Sequence, residues 1–122
     1  MEEQHRDPAI RVLMMPRDTN VHDTIFGGVI LSHIDQAGAI GVRRHGCRRV
    51  VTVAMDKVEF HQPVRVGDVV SYFTELVRRG RTSITVKVCV EAERLDSGER
   101  VSVTNATVTY VNIDAGGRPQ PI

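Results

Sequence analysis

Hydrophobic and polar residues follow two periods along this chain, first a helical one and then a strand-like one. From residue 27 to 45 the pattern predicts an α-helix that ends at Gly46. One stripe of this helix is apolar or small and is expected to face the core; it consists of Ile30, Ile34, Ala37 and Gly41. The opposite stripe carries one acidic residue, Asp35, among small and apolar neighbours.

After residue 50 the pattern changes to alternation, which is typical of strands with one buried face. From Val50 to Phe60, the even-numbered residues are expected to share one face. Turns rich in Gly, Pro and Asp help to delimit the strand-like segments, which span residues 9–15, 50–60, 68–79, 81–94 and 100–113. The stretch at 114–122 is expected to be irregular.

The order of one strand, one long helix and four consecutive strands predicts an α+β fold, with the helix lying on an antiparallel sheet of about five strands. The length of 122 residues fits one domain, 1–122. A single helix covers such a sheet only partly, and apolar edge strands can pair with another copy. A homodimer is therefore the smallest expected assembly.

Composition narrows the classes of function. A net charge of +1, no Trp, two Tyr and three Phe argue against nucleic acid as a partner. The sequence has no apolar run near the ~20 residues of a membrane span and no apolar signal-peptide core, so no membrane partner and a cytoplasmic location are expected. Cys47 and Cys89 lack CxxC spacing, and neither is expected to bind metal or form a disulfide.

The chemistry is expected along the first half of the helix. Gly27 and Gly28 lie in the first turn, where backbone N–H groups lack helical partners and the dipole presents its positive end. Such an end stabilises an oxyanion, and Asp35 two turns later could activate water for acyl-transfer hydrolysis. The pattern leaves alternatives open. Asp35 could be only a solvent-exposed or hydrogen-bonded helix residue. The helix glycines could mark the close passage of another group or only permit tight packing on the sheet; they are Gly27, Gly28, Gly38 and Gly41.

An ordered set of short motifs adds a resemblance. The chain contains DTN (18–20), FGG (26–28), an Asp seven residues after the second Gly, VTVAMDKVEFHQPVRVGD (51–68) and GRTS (80–83). Together they resemble the hotdog-fold acyl-CoA thioesterases, in particular the small bacterial acyl-CoA hydrolase branch, over about residues 10–113. The resemblance implies a long central helix wrapped by the sheet, homodimers with active sites at the subunit interface, and a trimer of dimers. It also implies hydrolysis of acyl-CoA to free acid and CoA, without metal and with no cofactor besides the CoA of substrate and product.

The resemblance also implies roles for individual residues. Asp35 would be the general base or the nucleophile, and the backbone N–H groups of Gly27 and Gly28 would form the oxyanion hole. Asn20 and Thr24, in the preceding loop, would position water or the carbonyl. The nucleotide end of CoA would lie near a hairpin that consists of Arg79, Gly80, Arg81, Thr82 and Ser83. The acyl pocket is expected around Leu31, Val58 and Phe60.

Two alternatives remain. A hotdog-fold enoyl-CoA hydratase needs a paired Asp and His, but the odd offset between Asp56 and His61 puts them on opposite faces of a strand. A non-catalytic acyl-CoA sensor is disfavoured because Asp35 would put a negative charge beside an anionic ligand.

One departure from the family pattern is Asp23, where relatives commonly have Gly; Asp tolerates left-handed backbone better than most residues.

Overall fold

The computed structural model describes residues 7–122; residues 1–6, which belong to the segment that argues against a signal peptide, lie outside the described part. One helix and five strands follow one another in the predicted order. They are β1 (Ile10–Leu13), α1 (Gly27–Gly41), β2 (Val50–Phe60), β3 (Val69–Arg79), β4 (Ser83–Glu93) and β5 (Arg100–Asn112). The predicted α+β class is therefore confirmed.

The helix ends as its sequence predicts, but its last turn is tighter. Residues Val42–His45 form a 3₁₀ turn instead of continuing α1. Gly46, at φ 86°, then takes the left-handed conformation that closes a helix, and its N–H donates to the carbonyl of Arg43. The predicted stop at Gly46 is correct, whereas the α-helix itself is four residues shorter than predicted.

All five strands belong to one antiparallel sheet, in the order β1-β3-β4-β5-β2. The hairpin-connected strands β3, β4 and β5 form its centre, while β1 and β2 form its two edges. α1 packs across one face, against β3, β4 and β5. The stripe predicted to face the core is buried there, as Ile30, Ile34, Ala37 and Gly41.

The predicted single face of β2 is wrong, because the strand changes register. Thr52 pairs with Tyr110 and Met55 pairs with Val108, with a register shift between Thr52 and Ala54. Directly opposed residues of two strands share a face, and Tyr110 and Val108 lie in the core beneath the helix. Thr52 and Met55 therefore face the helix, and Ala54 does not.

A second register shift in β2 lies between Asp56 and Glu59. Within it, Lys57 has a φ of 59°, an uncommon conformation for a residue with a side chain. Val58, also within the shift, packs against the core, whereas Phe60 is 48% exposed at the end of the strand. Most residues of this 11-residue edge strand are exposed.

The tail after β5 contains no helix or extended strand, as expected, but it is hydrogen-bonded to the sheet. Ile113 and Pro119 form an isolated antiparallel bridge. The N–H of Ile122 then donates to the carbonyl of Arg81 at 2.9 Å. The tail therefore braces the turn between β3 and β4.

Candidate active site

Asp35 lies on α1 above a cross-strand pair of the sheet, Thr52 of β2 and Tyr110 of β5. The Thr52 hydroxyl donates to Asp35 Oδ1 at 2.7 Å. The Tyr110 hydroxyl lies 2.7 Å from the backbone carbonyl oxygen of Asp35 and 3.2 Å from the same Oδ1. Burial, and then the neighbouring Asp35 carboxylate, raise the pKa of Tyr110, so its hydroxyl remains a donor. Among the described residues, no group donates to Oδ2.

Two glycines of α1 allow this close approach between helix and sheet. A Cβ on Gly38 would overlap the hydroxyl of Tyr110, and a Cβ on Gly41 would lie 2.5 Å from Thr74 Oγ1. Real Cβ atoms do not come so close, so packing accounts for both glycines. Gly38 and Gly41 therefore permit tight packing of α1 on the sheet.

The beginning of α1 is different. Its N-cap residue, Phe26, makes no side-chain capping bond, and the first turn holds no acidic residue. In the described part of the chain, the N–H groups of Gly27 and Gly28 have no acceptor. A Cβ on Gly28 would lie 2.6 Å from the ring of Phe26, whereas one on Gly27 would reach Phe60 at an ordinary 3.9 Å.

A cavity of 240 Å³ opens beside this first turn. Its wall combines the start of the helix, the end of β2 and the loop that follows; it is lined by Ile25, Gly27, Ile30, Phe60, His61, Gln62, Pro63 and Val64. Of the three residues predicted for the acyl pocket, Phe60 lines this cavity. Leu31 and Val58 are half-buried and pack against the core instead.

The loop at 61–68 forms one side of the cavity and is fixed by a buried ion pair. Arg94 Nη1 donates to Asp68 Oδ2 at 2.6 Å and to the carbonyl of Pro63 at 2.9 Å. Asp68 is 1% exposed and Arg94 9%. The loop is tied to the segment before α1 as well, because the N–H of Ile25 donates to the carbonyl of Val64.

Asn20 and Thr24 organise the loop in front of the helix. Asn20 Oδ1 accepts from the N–H groups of His22 and Thr24, and its amide nitrogen donates to Thr24 Oγ1 at 2.9 Å. Asp23, between them, has a φ of 64°, the left-handed conformation that an aspartate was expected to tolerate. These bonds hold the loop in shape; the predicted contact of Asn20 and Thr24 with substrate or water stays a prediction.

The predicted CoA hairpin lies at the end of the sheet opposite the cavity, where Ile84, next to the hairpin, pairs with Tyr110. The N–H of Gly80 donates to the carbonyl of Ser83, and the carbonyl of Thr82 accepts from the N–H of Asn112. Arg79 and Arg81 are exposed. The hairpin thus has a fixed backbone and two exposed guanidinium groups.

The predicted catalytic groups lie apart along the helix of one protomer. Seven residues separate Asp35 from Gly28, which is about 10 Å along a helix axis. A carboxylate and an oxyanion hole that serve one carbonyl must both lie within hydrogen-bonding reach of the reacting atoms, roughly 3 Å. The two residues that contact the carboxylate, Thr52 and Tyr110, were missed by sequence reasoning.

The hydratase alternative finds no support in the positions of its two residues. Asp56 pairs with Thr107, on the face of the sheet turned away from the helix, whereas His61 lines the cavity beside Gly27.

Within residues 7–122, no group of three or more His, Cys, Asp or Glu side chains could hold a metal ion. In the same part of the chain, no helix has the length and apolarity needed to cross a membrane.

Comparison with known proteins gives concordant matches. Residues 22–99 match the model of the thioesterase superfamily. The acyl-CoA thioester hydrolase YciA of Salmonella typhimurium is 40% identical, over 93% of this chain and 87% of its own length. Cj0915, a hexameric hotdog-fold thioesterase of Campylobacter jejuni, superposes with a TM-score of 0.91 at 47% identity, over 95% of this chain and 90% of its own.

A further solved structure is an aspartate-to-alanine mutant of HI0827, described as a hexameric broad-specificity acyl-coenzyme A thioesterase. It is 42% identical, with a TM-score of 0.89 over 96% of this chain and 86% of its own. The predicted hotdog fold is thereby confirmed. On the family match and these identities, the chain belongs to the thioesterase superfamily.

Proposed function

We propose that this protein hydrolyses acyl-CoA thioesters to free carboxylic acids and CoA, with Asp35 as the reacting carboxylate. The observation that carries the proposal is the setting of Asp35: Thr52 and Tyr110 hold one carboxylate oxygen, and the other, without a donor among residues 7–122, can take a proton or bond to a carbon atom. The names of the relatives, acyl-CoA thioester hydrolases and thioesterases, support the same reaction.

In the proposed reaction, the thioester carbonyl oxygen accepts hydrogen bonds from the N–H groups of Gly27 and Gly28. These N–H groups have no other acceptor in the described part of the chain, and this and the positive end of the helix dipole suit the charge that develops on that oxygen. Asp35 takes a proton from water while the water oxygen bonds to the carbonyl carbon. The C–S bond then breaks, and the CoA thiolate receives the proton.

The nucleophilic form of the mechanism uses the same oxygen of Asp35. Its carboxylate bonds to the carbonyl carbon, and the C–S bond breaks with CoA leaving as the thiolate. Water then hydrolyses the resulting anhydride to the carboxylic acid and the Asp35 carboxylate, and the proton released goes to the CoA thiolate. Both forms are proposed to need no metal and no cofactor apart from the CoA of the substrate. The acyl chain is proposed to enter the cavity beside Phe60, with Leu31 and Val58 supporting its walls from the core.

The reacting groups are proposed to come together between two copies of the chain. The distance of about 10 Å along α1 between Gly28 and Asp35 is too long for one protomer to serve one carbonyl. β2 runs from Thr52, beside Asp35, to Phe60, beside Gly27. If two copies of this exposed edge pair antiparallel, the Asp35 end of one protomer meets the helix start of the other.

Larger assembly and the CoA contacts extend this proposal. Two solved relatives, Cj0915 and HI0827, are described as hexamers, which supports a trimer of such dimers. Arg79 and Arg81 are proposed to bind the phosphates of CoA, because guanidinium groups suit phosphate oxygens by paired hydrogen bonds. Asn20 and Thr24 are proposed to shape the loop beside the carbonyl. A cytoplasmic location and a part in fatty acid metabolism belong to the same proposal.

The first experiment measures release of free thiol from short, medium and long acyl-CoAs by the purified protein. Asp35→Asn is expected to lower kcat by at least about 10²-fold, since it removes the base or nucleophile and leaves the side-chain shape. Asp96→Asn, in the exposed turn after β4, is the matched control and is expected to retain full activity. Addition of EDTA is expected to change nothing.

Other results would overturn the proposal. Binding of acyl-CoA without thiol release would make the protein a sensor, and hydration of an enoyl-CoA without thiol release would make it a hydratase. If Asp35→Asn hydrolyses acyl-CoA at the full rate, the proposed thioesterase reaction stands, but Asp35 has no role in it. Size measurement of each variant ensures that lost activity is not lost assembly.

A further inference from the structure

We propose that Thr52 and Tyr110 are positioning residues that fix Asp35 with Oδ1 occupied and Oδ2 as its reacting oxygen. This inference rests on the proposed function, in which Asp35 acts on the thioester. Thr52 and Tyr110 directly oppose each other on β2 and β5, beneath the helix. They lie 17 and 75 residues from Asp35 in the sequence, and the sheet brings both hydroxyl groups to it.

The hydroxyl groups of Thr52 and Tyr110 bond to different parts of Asp35. The Thr52 proton has one partner, Asp35 Oδ1 at 2.7 Å. The single Tyr110 proton is shared between the backbone carbonyl of Asp35, at 2.7 Å, and Oδ1, at 3.2 Å. Since the shorter contact is the stronger one, Tyr110 chiefly anchors the backbone of the helix, while Thr52 orients the carboxylate.

The two carboxylate oxygens of Asp35 therefore have different roles. A carboxylate without hydrogen-bond partners would rotate about its Cβ–Cγ bond. Each of its two oxygens would then face the substrate only part of the time. Donors from one side remove that freedom, so the free Oδ2 keeps a constant direction. Preorganised geometry of this kind accelerates a reaction because no ordering remains to be done in the transition state.

The chain provides a matched control in Tyr72. Like Tyr110, it is a buried Tyr on the sheet with its hydroxyl under α1, but its partner is His33 Nδ1, at 3.5 Å. The two rings of His33 and Tyr72 lie 5.6 Å apart. Removal of either Tyr hydroxyl perturbs the same helix–sheet interface, and only one of the two contacts Asp35.

The experiment compares kcat, KM, thermal midpoint and oligomeric size for Thr52→Val, Thr52→Ser, Tyr110→Phe and Tyr72→Phe, with Asp35→Asn as reference. Thr52→Val is expected to lower kcat about tenfold with KM within about twofold, the scale of one hydrogen bond to a charged group. Thr52→Ser restores the hydroxyl and is expected to restore kcat. Tyr110→Phe is expected to lose less than Thr52→Val, and Tyr72→Phe to keep kcat.

The outcomes separate this inference from the proposed function. If Asp35→Asn retains activity, the role of Asp35 fails, and the inference with it. If Asp35→Asn is inactive but Thr52→Val and Tyr110→Phe keep kcat as Tyr72→Phe does, the positioning role alone is wrong. A kcat loss in Thr52→Ser equal to that in Thr52→Val would contradict it too, because the hydroxyl would then be irrelevant.

Discussion

The two functional parts of α1, its first turn and its middle, are supported in different ways. At the first turn, Gly27 and Gly28 present backbone N–H groups, and the loop at 61–68, which the Arg94–Asp68 ion pair holds, lies beside Gly27. In the middle, Asp35 presents a side chain, and two strands of the sheet hold it. The first turn therefore depends on loops and the middle on the sheet, so substitutions should separate the two.

The largest expected effect is on the loops around the first turn. Arg94→Met leaves the carboxylate of Asp68 buried without its cation, which costs about 3–5 kcal/mol of unfolding free energy. Urea unfolding measures this loss, and thiol release at several acyl-CoA concentrations measures the accompanying rise in KM. Arg65→Met is the matched control, because Arg65 lies in the same loop with an exposed side chain. Equal losses in both variants would contradict a special role of the ion pair.

An intermediate effect is expected in the middle of the helix. Gly38→Ala pushes a methyl group into the Tyr110 hydroxyl, so about 1–3 kcal/mol of stability should be lost by overpacking. Because Tyr110 also anchors Asp35, kcat should fall in the same variant. Urea unfolding and steady-state kinetics measure the two losses.

Gly41→Ala is the control for this prediction. Its methyl group meets Thr74, a residue that makes no hydrogen bond to Asp35. A similar loss of stability with kcat retained is the expected result. If both glycine variants lose the same fraction of kcat, general loosening of the helix would explain the effect and Tyr110 would not.

The smallest expected effect is at the beginning of the helix. Gly27→Ala adds a methyl group at an ordinary 3.9 Å from Phe60, so packing does not oppose it. Since Ala favours helix over Gly by up to about 1 kcal/mol, stability should stay constant or rise slightly. Urea unfolding decides this, and a loss as large as that of Gly38→Ala would show that packing constrains both parts of the helix.

Sequence reasoning succeeded where the signal is local. The stripe of Ile30, Ile34 and Ala37 predicts the buried face of α1, because helical periodicity alone decides it. The left-handed Gly46 is predicted for the same reason, since its effect is confined to one turn. Asp35 stands out because a carboxylate among small and apolar helix residues is unusual.

It failed where the answer depends on strand register. Alternation assigned Ala54 to the face of Thr52, but the two shifts in β2 leave no clear mark in its sequence. Without the register, nothing indicates that Thr52 lies opposite Tyr110, or that both reach Asp35. The groups that support the candidate carboxylate are therefore set by the pairing of distant segments, which a single sequence does not encode in any local pattern.

The burial of both tyrosines also makes the helix–sheet interface optically visible. Tyr72 and Tyr110 are the chain's two tyrosines, it has no Trp, and both rings lie beneath α1. Its intrinsic fluorescence and near-ultraviolet circular dichroism at tyrosine wavelengths thus arise from that one layer, whose packing such signals report. Undocking of the helix can consequently be followed without an added label, and Tyr72→Phe leaves a single emitter beside Asp35.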